Sequence, residues 1–413
     1  MQIKEKILPY ITDIIAQLQQ AGFDAYIVGG AVRDLLLDRI PKDYDISTSA
    51  TPEQIRKVFR DRRTIIIGKR FRLVHLFHHG DIVEISTFRK CPQPQQELRR
   101  PGKEAPENMI FQDNEFGTAR EDAWRRDFTV NALFYDPVNA RILDYTGMGL
   151  HDIQNNCVRS IGNPALRFEE DPVRILRALK LVGQYGFKLE EETGKAVADC
   201  MDFIDHASGS RLTLELEKIL KNPYGHRILR AFHEYKFLKK FLPFIEQQWD
   251  TPACNYMLAL LEERNRRVRC RLYRDSISLA MSIFTLPFAE KIIGANEPGG
   301  LWHFLPDIHE ELWDLLHTVL APAALTRRAS SAAIRTLSLQ ERLKNRNLKR
   351  LFSHPGYPHA RELAIIQNNV LWHMDDFEDS LPSPAPAQEK HRVRRHERSR
   401  KEAGKNIAER VFV

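Results

Sequence analysis

The chain has 413 residues, 43% of them hydrophobic and 28% charged, with a formal net charge of +7. That length exceeds one ordinary hydrophobic core and predicts two to four structural units with the composition of a soluble globular protein. Five scattered cysteines (Cys91, Cys157, Cys200, Cys254, Cys270) form no C-x-x-C pair, and no apolar run approaches membrane length. Neither a disulfide framework nor a zinc site is expected, and the chain reads as cytoplasmic, without secretory leader or membrane span.

In chain order, residues 3–20 repeat Ile3, Ile7, Leu8, Ile11, Ile14, Ile15 and Leu18 at a helical period, which buries one face. The apolar run Ala25–Val28 predicts a buried strand that stops at Gly29-Gly30, and 31–38 predicts a helix. Residues 43–48 read as a second strand. Thr51-Pro52-Glu53 opens the next helix, with a capping hydroxyl followed by proline in the first turn. Segments 64–67, 72–77 and 82–87 are β-branched and apolar, as strands require. Residues 91–124 hold Pro92, Pro94, Pro101 and Pro106 with little periodicity, and read as a mobile loop. Helical patterns dominate from about residue 165 to 376. Pro382, Pro384 and Pro386 then lead into a basic tail expected to be disordered when free.

The positive charge is unevenly spread. Residues 382–413 hold nine Lys/Arg against four Asp/Glu, and residues 326–350 hold eight Lys/Arg against the single acid Glu341. Clustered cations of this kind suit phosphate backbones, though a solvated helix face and a solubilising tail explain them equally well.

The chemistry-bearing residues begin at Gly29-Gly30-Ala31-Val32-Arg33-Asp34 and Lys42-Asp43-Tyr44-Asp45. Glycines between strand and helix let backbone N–H groups approach phosphate oxygens at a helix N-terminus. The pattern is neither a Walker loop nor a dinucleotide fingerprint. Asp43 and Asp45, at i and i+2 of a strand, face one side roughly 6.6 Å apart. They repel unless a cation lies between them, and magnesium suits such a pair with phosphate oxygens. Glu84 interrupts a strand between Val83 and Ile85; across a sheet from the aspartates it would complete a two-metal site. Taken singly, each of these has a blander explanation, in a turn or a solvent-facing strand.

These residues and four later segments, in the same order, resemble the class II tRNA nucleotidyltransferase and poly(A) polymerase family. Arg125-Arg126-Asp127-Phe128-Thr129-Val130-Asn131-Ala132-Leu133 is similar to its second motif, and Asp144-Tyr145-Thr146-Gly147 with Asp152-Ile153 to its third. Arg167–Ala178 is similar to its fourth, the amino-acid template that selects the incoming base, and Arg211, Glu215 and Lys218 lie in a segment similar to its neck helix. The resemblance implies an α+β protein: a small nucleotidyltransferase α/β head with a mixed sheet, then a helical neck and body. On that reading 1–140 is the catalytic head, 141–220 the neck, 221–376 an RNA-binding body and 377–413 the linker and tail.

The resemblance also implies roles. Asp43, Asp45 and Glu84 would be catalytic, with Asp43 and Asp45 holding two Mg2+ ions. Gly29, Gly30, Arg33, Lys42, Arg126, Asp127 and Asn131 would handle the triphosphate and ribose of ATP. Asp171 and Arg174 would read the base, with Arg177 and Lys180 beside them. The i, i+3 spacing of Asp171, Arg174 and Arg177 predicts a shared helix face, able to accept from an amine and donate to a ring nitrogen, or simply to form a surface salt bridge.

Ile66–His75 and Asp113–Thr118 resemble the bacterial poly(A) polymerase subgroup. The expectation is therefore AMP addition to RNA 3′ ends, with RNA as macromolecular partner and unidentified proteins of RNA processing or decay beside it. CCA or A addition to tRNA, and an inactive RNA-binding adaptor, stay open as alternatives. His75, His78 and His79 read as structural, and Trp302, Trp313 and Trp372 as core or interface residues.

Overall fold

The computed structural model describes residues 3–68, 73–90, 115–295, 297–303, 308–344 and 351–382. The expected tail, most of the 91–124 loop and part of the 326–350 cluster lie outside these residues.

The chain divides into two compact units: residues up to Ile219 with Tyr224–Glu246, and Leu220–Pro223 with the chain from Gln247. A short 3-10 turn, Ile3–Lys6, precedes α1 (Pro9–Gln20), so the predicted first helix is broken where Pro9 enters its first turn. The head then runs β1 (Ala25–Val28), α2 (Gly30–Leu36), β2 (Asp45–Thr48), α3 (Pro52–Val58), β3 (Thr64–Ile67), β4 (Leu73–His78), β5 (Asp81–Thr87), α4 (Ala119–Trp124), β6 (Leu133–Asp136) and β7 (Arg141–Asp144). These strands form one sheet in the order β3-β4-β5-β2-β1-β6-β7. β2 and β5 pair in parallel and the other neighbours are antiparallel, so the sheet is mixed. The expected head–neck division at residue 140 falls between β6 and β7, two strands of one hairpin.

Local signals account for most boundaries. Thr51 caps α3 with Pro52 in the first turn, as the sequence predicts, and Gln54 completes a reciprocal capping box with it. One expectation is corrected: the end of the supposed loop is the helix α4. Its start is a second capping box, Thr118 with Glu121, which satisfies two otherwise orphaned N–H groups and holds a short helix.

The rest of the first unit is α5 (Gly149–Gln154), β8 (Cys157–Val158), α6 (Pro164–Glu170), α7 (Val173–Tyr185), β9 (Lys188–Leu189), α8 (Glu191–Asp199), α9 (Gly209–Lys221), α10 (Gly225–Glu234), α11 (Leu238–Phe241) and α12 (Pro243–Gln247). It is helical apart from one short parallel ladder, β8–β9, absent from the sequence expectation. α7 buries Ile175, Leu176, Leu179 and Leu181 and stops at Gly186, whose left-handed φ of 74° terminates the turn.

The second unit contains α13 (Pro252–Arg269), α14 (Ile277–Ile292), α15 (Gly300–His303), α16 (His309–Val319), α17 (Arg327–Ser338), α18 (Gln340–Lys344), α19 (Tyr357–Gln367) and α20 (Phe377–Ser380). Trp302 is buried with Tyr357, Ile365 and Phe377, and Trp372 packs on that cluster. These two tryptophans are core residues. Arg267 is buried between Glu362 and Glu378, at 2.6 and 3.0 Å. The four described cysteines are free. Among the described residues no helix is long and apolar enough to cross a membrane.

α7 and α10 cross very closely at Gly183. A Cβ there would stand 2.5 Å from the Ile228 Cα and 2.8 Å from the Arg227 carbonyl oxygen. Gly→Ala inside a helix ordinarily gains about 1 kcal/mol, but backbone atoms cannot rotate aside as a side chain can. Gly183→Ala should instead lower stability by about 1–3 kcal/mol, read as a lower thermal midpoint. A midpoint at or above wild type would show that the crossing yields.

Candidate active site

The parallel pairing of β2 with β5 sets Asp45 directly opposite Glu84, and the antiparallel pairing of β5 with β4 sets Glu84 opposite His75. Directly paired residues point to the same face, so the three side chains form a row. His75 Nε2 lies 3.2 Å from Glu84 Oε1. The histidine read from sequence as merely structural is thus the immediate neighbour of a candidate acid. Asp43 lies in a bend two residues before β2, which begins at Asp45 and not at 43. Tyr44 is buried between two exposed aspartates, and the alternation keeps Asp43 and Asp45 on one side.

Asp45 shows the electrostatic consequence. Although open at its surface, its carboxyl is flanked by enough protein to be desolvated. That burial, with the negative charges of Glu84 and Asp43, raises its pKa above the ordinary aspartate range, and only Arg126 opposes them. Among the described residues no three Asp, Glu, His or Cys side chains converge closely enough to cage an ion by themselves. The acids are neighbours in register that repel one another, a donor set that a divalent cation would draw together.

The glycine turn closes on this row from one side. Gly29 has a φ of 71°, and a Cβ on it would sit 3.0 Å from Arg126 Nη1; glycine is required both for the backbone and for that approach. Arg126 is held by two bonds to the buried Asp122, whose carboxylate also binds Arg125 and the Arg89 N–H. Asp122 was given no site role from the sequence, although an acid at i−4 from Arg126 is a readable signal. Lys42 is exposed beside Asp43.

Arg33 faces inward. It donates to Asn131 Oδ1 at 2.6 Å, to Asp34 and to the Tyr185 hydroxyl at 2.6 Å, and its guanidinium lies over the Tyr185 ring. Tyr185 also donates to Asp34 at 2.7 Å. Arg33 therefore ties α2 to the end of α7. Tyr185, the hub of this knot, was not singled out from sequence.

Asp127 and Asn131 connect the head to α7 by a second route. Asp127 is buried and accepts from the Phe128 N–H and from Asn131, while Arg177 Nη2 lies 2.9 Å from its other oxygen. Burial pushes the Asp127 pKa up, yet the Arg177 charge and these bonds outweigh it, and the carboxyl is held below its usual range. Arg167 adds a third link by donating to the carbonyls of Arg125 and Arg126.

The template segment departs from expectation in one respect. Asp171 is not on the helix with Arg174 and Arg177. It lies in extended backbone at the end of α6 (φ −148°, ψ 92°), because the residue before Pro172 is sterically barred from helical geometry. Its carboxylate caps the Val173 N–H and accepts from Arg211 at 2.7 Å. Arg174 donates to the Arg167 carbonyl and to Glu170. Lys180 and Lys218 both bind Glu215 at 2.7 Å, and despite burial these cations depress its pKa to about 2. Asp171, Arg174, Arg177 and Lys180 thus each rest on a protein counter-charge.

Residues 25–159 match the poly A polymerase head domain, and residues 186–248 match a domain described as the probable RNA and SrmB-binding site of polymerase A. Poly(A) polymerase I of Escherichia coli is 32% identical over 367 residues, covering 86% of this chain and 77% of that protein. The chain belongs to the tRNA nucleotidyltransferase and poly(A) polymerase family. It is accordingly an RNA nucleotidyltransferase that works without a template. A CCA-adding enzyme from a Geobacillus species, of the same family, is 38% identical over 256 residues, covering 62% of this chain and 60% of the other. The CCA-adding enzyme of Bacillus stearothermophilus in complex with CTP superimposes with a TM-score of 0.58 at 27% identity, over 94% of this chain and 82% of that one.

The crowding at Asp45 has a measurable sign. A carboxyl whose pKa is raised by folding favours the folded state at low pH, and that advantage is lost as pH rises through the folded pKa. At neutral pH without divalent cations, Asp45→Asn should therefore melt above wild type, with the gap closing as pH falls into the carboxylate range. Millimolar Mg2+ should raise the midpoint of wild type and leave that of the variant unmoved. A variant less stable than wild type in the absence of metal would overturn the account.

Proposed function

We propose that this protein is a poly(A) polymerase that adds AMP from ATP to RNA 3′ ends and releases pyrophosphate. The observation that carries the chemistry is the register of Asp45 with Glu84, flanked by Asp43, on one open face of the sheet. Asp43 and Asp45 would hold two Mg2+ ions. Bound there, such ions supply charge neutralisation at the α-phosphate and the departing pyrophosphate, and acidify the 3′-hydroxyl. Glu84 accepts the hydroxyl proton, with His75 fixing one of its oxygens. The 3′-oxygen forms its bond to the α-phosphorus as the bond to the bridging β-phosphate oxygen breaks. Gly29 and Gly30 let the chain approach the triphosphate. Arg126 and Lys42 offset its charge, and Arg33, committed to Asn131 and Tyr185, acts by holding the glycine turn. Asp127 and Asn131, locked together, face the ribose.

Base selection rests on Asp171 and Arg174. A carboxylate accepting from an exocyclic amine and a guanidinium donating to the adjacent ring nitrogen fit adenine. Cytosine presents the same donor beside an acceptor, so this pair admits ATP and CTP alike. The preference for A addition rests instead on the reach of the likeness. Alignment with the poly(A) polymerase extends over 86% of the chain, against 62% for the CCA-adding relative. The greater identity to the latter, 38% against 32%, favours CCA addition as the second reading.

Asp43→Ala and Asp45→Ala should each reduce incorporation at least ~1000-fold while leaving RNA affinity within about twofold, because they remove charge stabilisation specific to the transition state. Retained activity in either variant would refute the acid assignment. Offering each nucleotide with an unstructured RNA and with a tRNA lacking CCA separates the readings. Long A tracts on the unstructured RNA are expected. A strict stop after CCA on the tRNA would replace the proposal with the second reading, and failure to release pyrophosphate from any nucleotide would leave only an RNA-binding adaptor.

A further inference from the structure

A third concentration of positive charge lies in the head, apart from both basic stretches noted in the sequence. Residues 56–63 hold Arg56, Lys57, Arg60, Arg62 and Arg63 with one acid, Asp61. With Glu53 and Thr64 these cations line a groove of about 580 Å³ where α3 leads into β3. Arg62 is braced by Asp13 at 2.9 Å. Arg60 faces Asp61 at 3.9 Å with both side chains more than 80% exposed, a weak pair that leaves its charge available. Arg56, Lys57 and Arg63 are also exposed.

Arg63, which lines the groove, also reaches the sheet face that carries the row of acids. Strand register carries that row outward from Asp45 through Glu84 and His75 to Ile65 on the edge strand β3. Two residues along β4 from His75, on the same face, Phe77 lies beneath the Arg63 guanidinium, 4.5 Å from its ring centroid. Ile65, Ile67 and Ile82 are large apolar side chains on this face with 39–51% of their surface exposed. Three strand spacings separate Asp45 from Ile65, about 14 Å, or about four stacked nucleotides.

We propose that this edge of the head is the track for the RNA strand just upstream of its 3′ end: bases lie on the Phe77, Ile65 and Ile82 surface while phosphates meet Arg56, Lys57, Arg60 and Arg63. The inference rests on the nucleotidyltransferase reading of the acids. An acidic protein would satisfy the cations, but it would not call for an apolar and aromatic surface running up to the acids. Four of the five cations are arginine, whose planar fork suits phosphate and stacks on rings.

The test replaces the four exposed cations together, Arg56→Gln, Lys57→Gln, Arg60→Gln and Arg63→Gln, in the full chain. Affinity for a twelve-nucleotide RNA should fall roughly tenfold, and the log–log salt slope of binding should flatten by about 3, at roughly 0.7 per lost phosphate contact. The KM for ATP should not move, and a trinucleotide primer, too short to leave the acids, should be extended as by wild type. The pair Lys57→Glu and Arg60→Glu repeats the measurement should the fourfold variant melt early. Unchanged affinity and slope, the result expected if the groove serves an acidic protein, would overturn the track, as would an equal loss on the trinucleotide. If wild type extends no primer, the proposed activity fails while the binding arms still decide the track.

Discussion

One constraint supports the rest of the site: two strands, β2 and β5, run parallel in a sheet whose other neighbours are antiparallel. Parallel strands need a crossover, here through α3 and the β3–β4 hairpin. That crossover is what brings Glu84 beside Asp45 across about forty residues of sequence. A slip of one residue would send Glu84 to the covered face, where Val83 and Ile85 now lie. Register is protected by those buried neighbours and by the contact of the Ser47 and Ser86 hydroxyls at 3.1 Å. The hydrophobic face of the sheet therefore positions the acidic one.

Much of the head could be read from sequence because its signals are local. The bounds of β1 and β3 fall where the apolar runs fall, and Thr51 with Pro52 begins α3 by chemistry contained within four residues. Three things were less visible. The role of His75 depends on which strand lies next to β5, information held by the whole sheet. The displacement of Asp171 from its expected helix follows from Pro172, whose effect on the preceding residue outweighs a three-residue periodicity. The cations at 56–63 are separated in sequence by Val58 and Phe59, and only the turn after α3 gathers them into one groove.

The face between head and neck follows a different logic from the acid row. Asp122 holds Arg125 and Arg126, Asp127 faces Arg177, Glu170 holds Arg167 and Arg174, Asp171 holds Arg211, and Glu215 holds Lys180 and Lys218. Such pairs, whose acids are buried or nearly so while Arg177, Arg211 and Lys218 stay partly exposed, are poor sources of stability, because desolvation and solvent screening offset most of the attraction. What they provide is orientation: each guanidinium is fixed by one edge, which sets the direction of its remaining N–H groups.

The contrast between these two surfaces has a consequence for substrate binding. Along α7 and its surroundings, cations are neutralised in place, so a nucleotide bound there as proposed would meet donors and acceptors already aimed, with little charge to reorganise. At Asp45 the like charges of Glu84 and Asp43 are opposed by Arg126, and its raised pKa records that imbalance. In the proposed reading the two halves are complementary. The neck can hold a base without metal, whereas the acid row is favourable only when cations and a triphosphate arrive together. A mismatched base misplaces the α-phosphate relative to that row, and a misplacement of about 1 Å costs on the order of a hundredfold in rate. Selection at Asp171 and Arg174 is then coupled to chemistry at Asp45 through the rigid links Arg33–Tyr185, Asp127–Arg177 and Arg167–Arg126, without any part of the head having to contact the base.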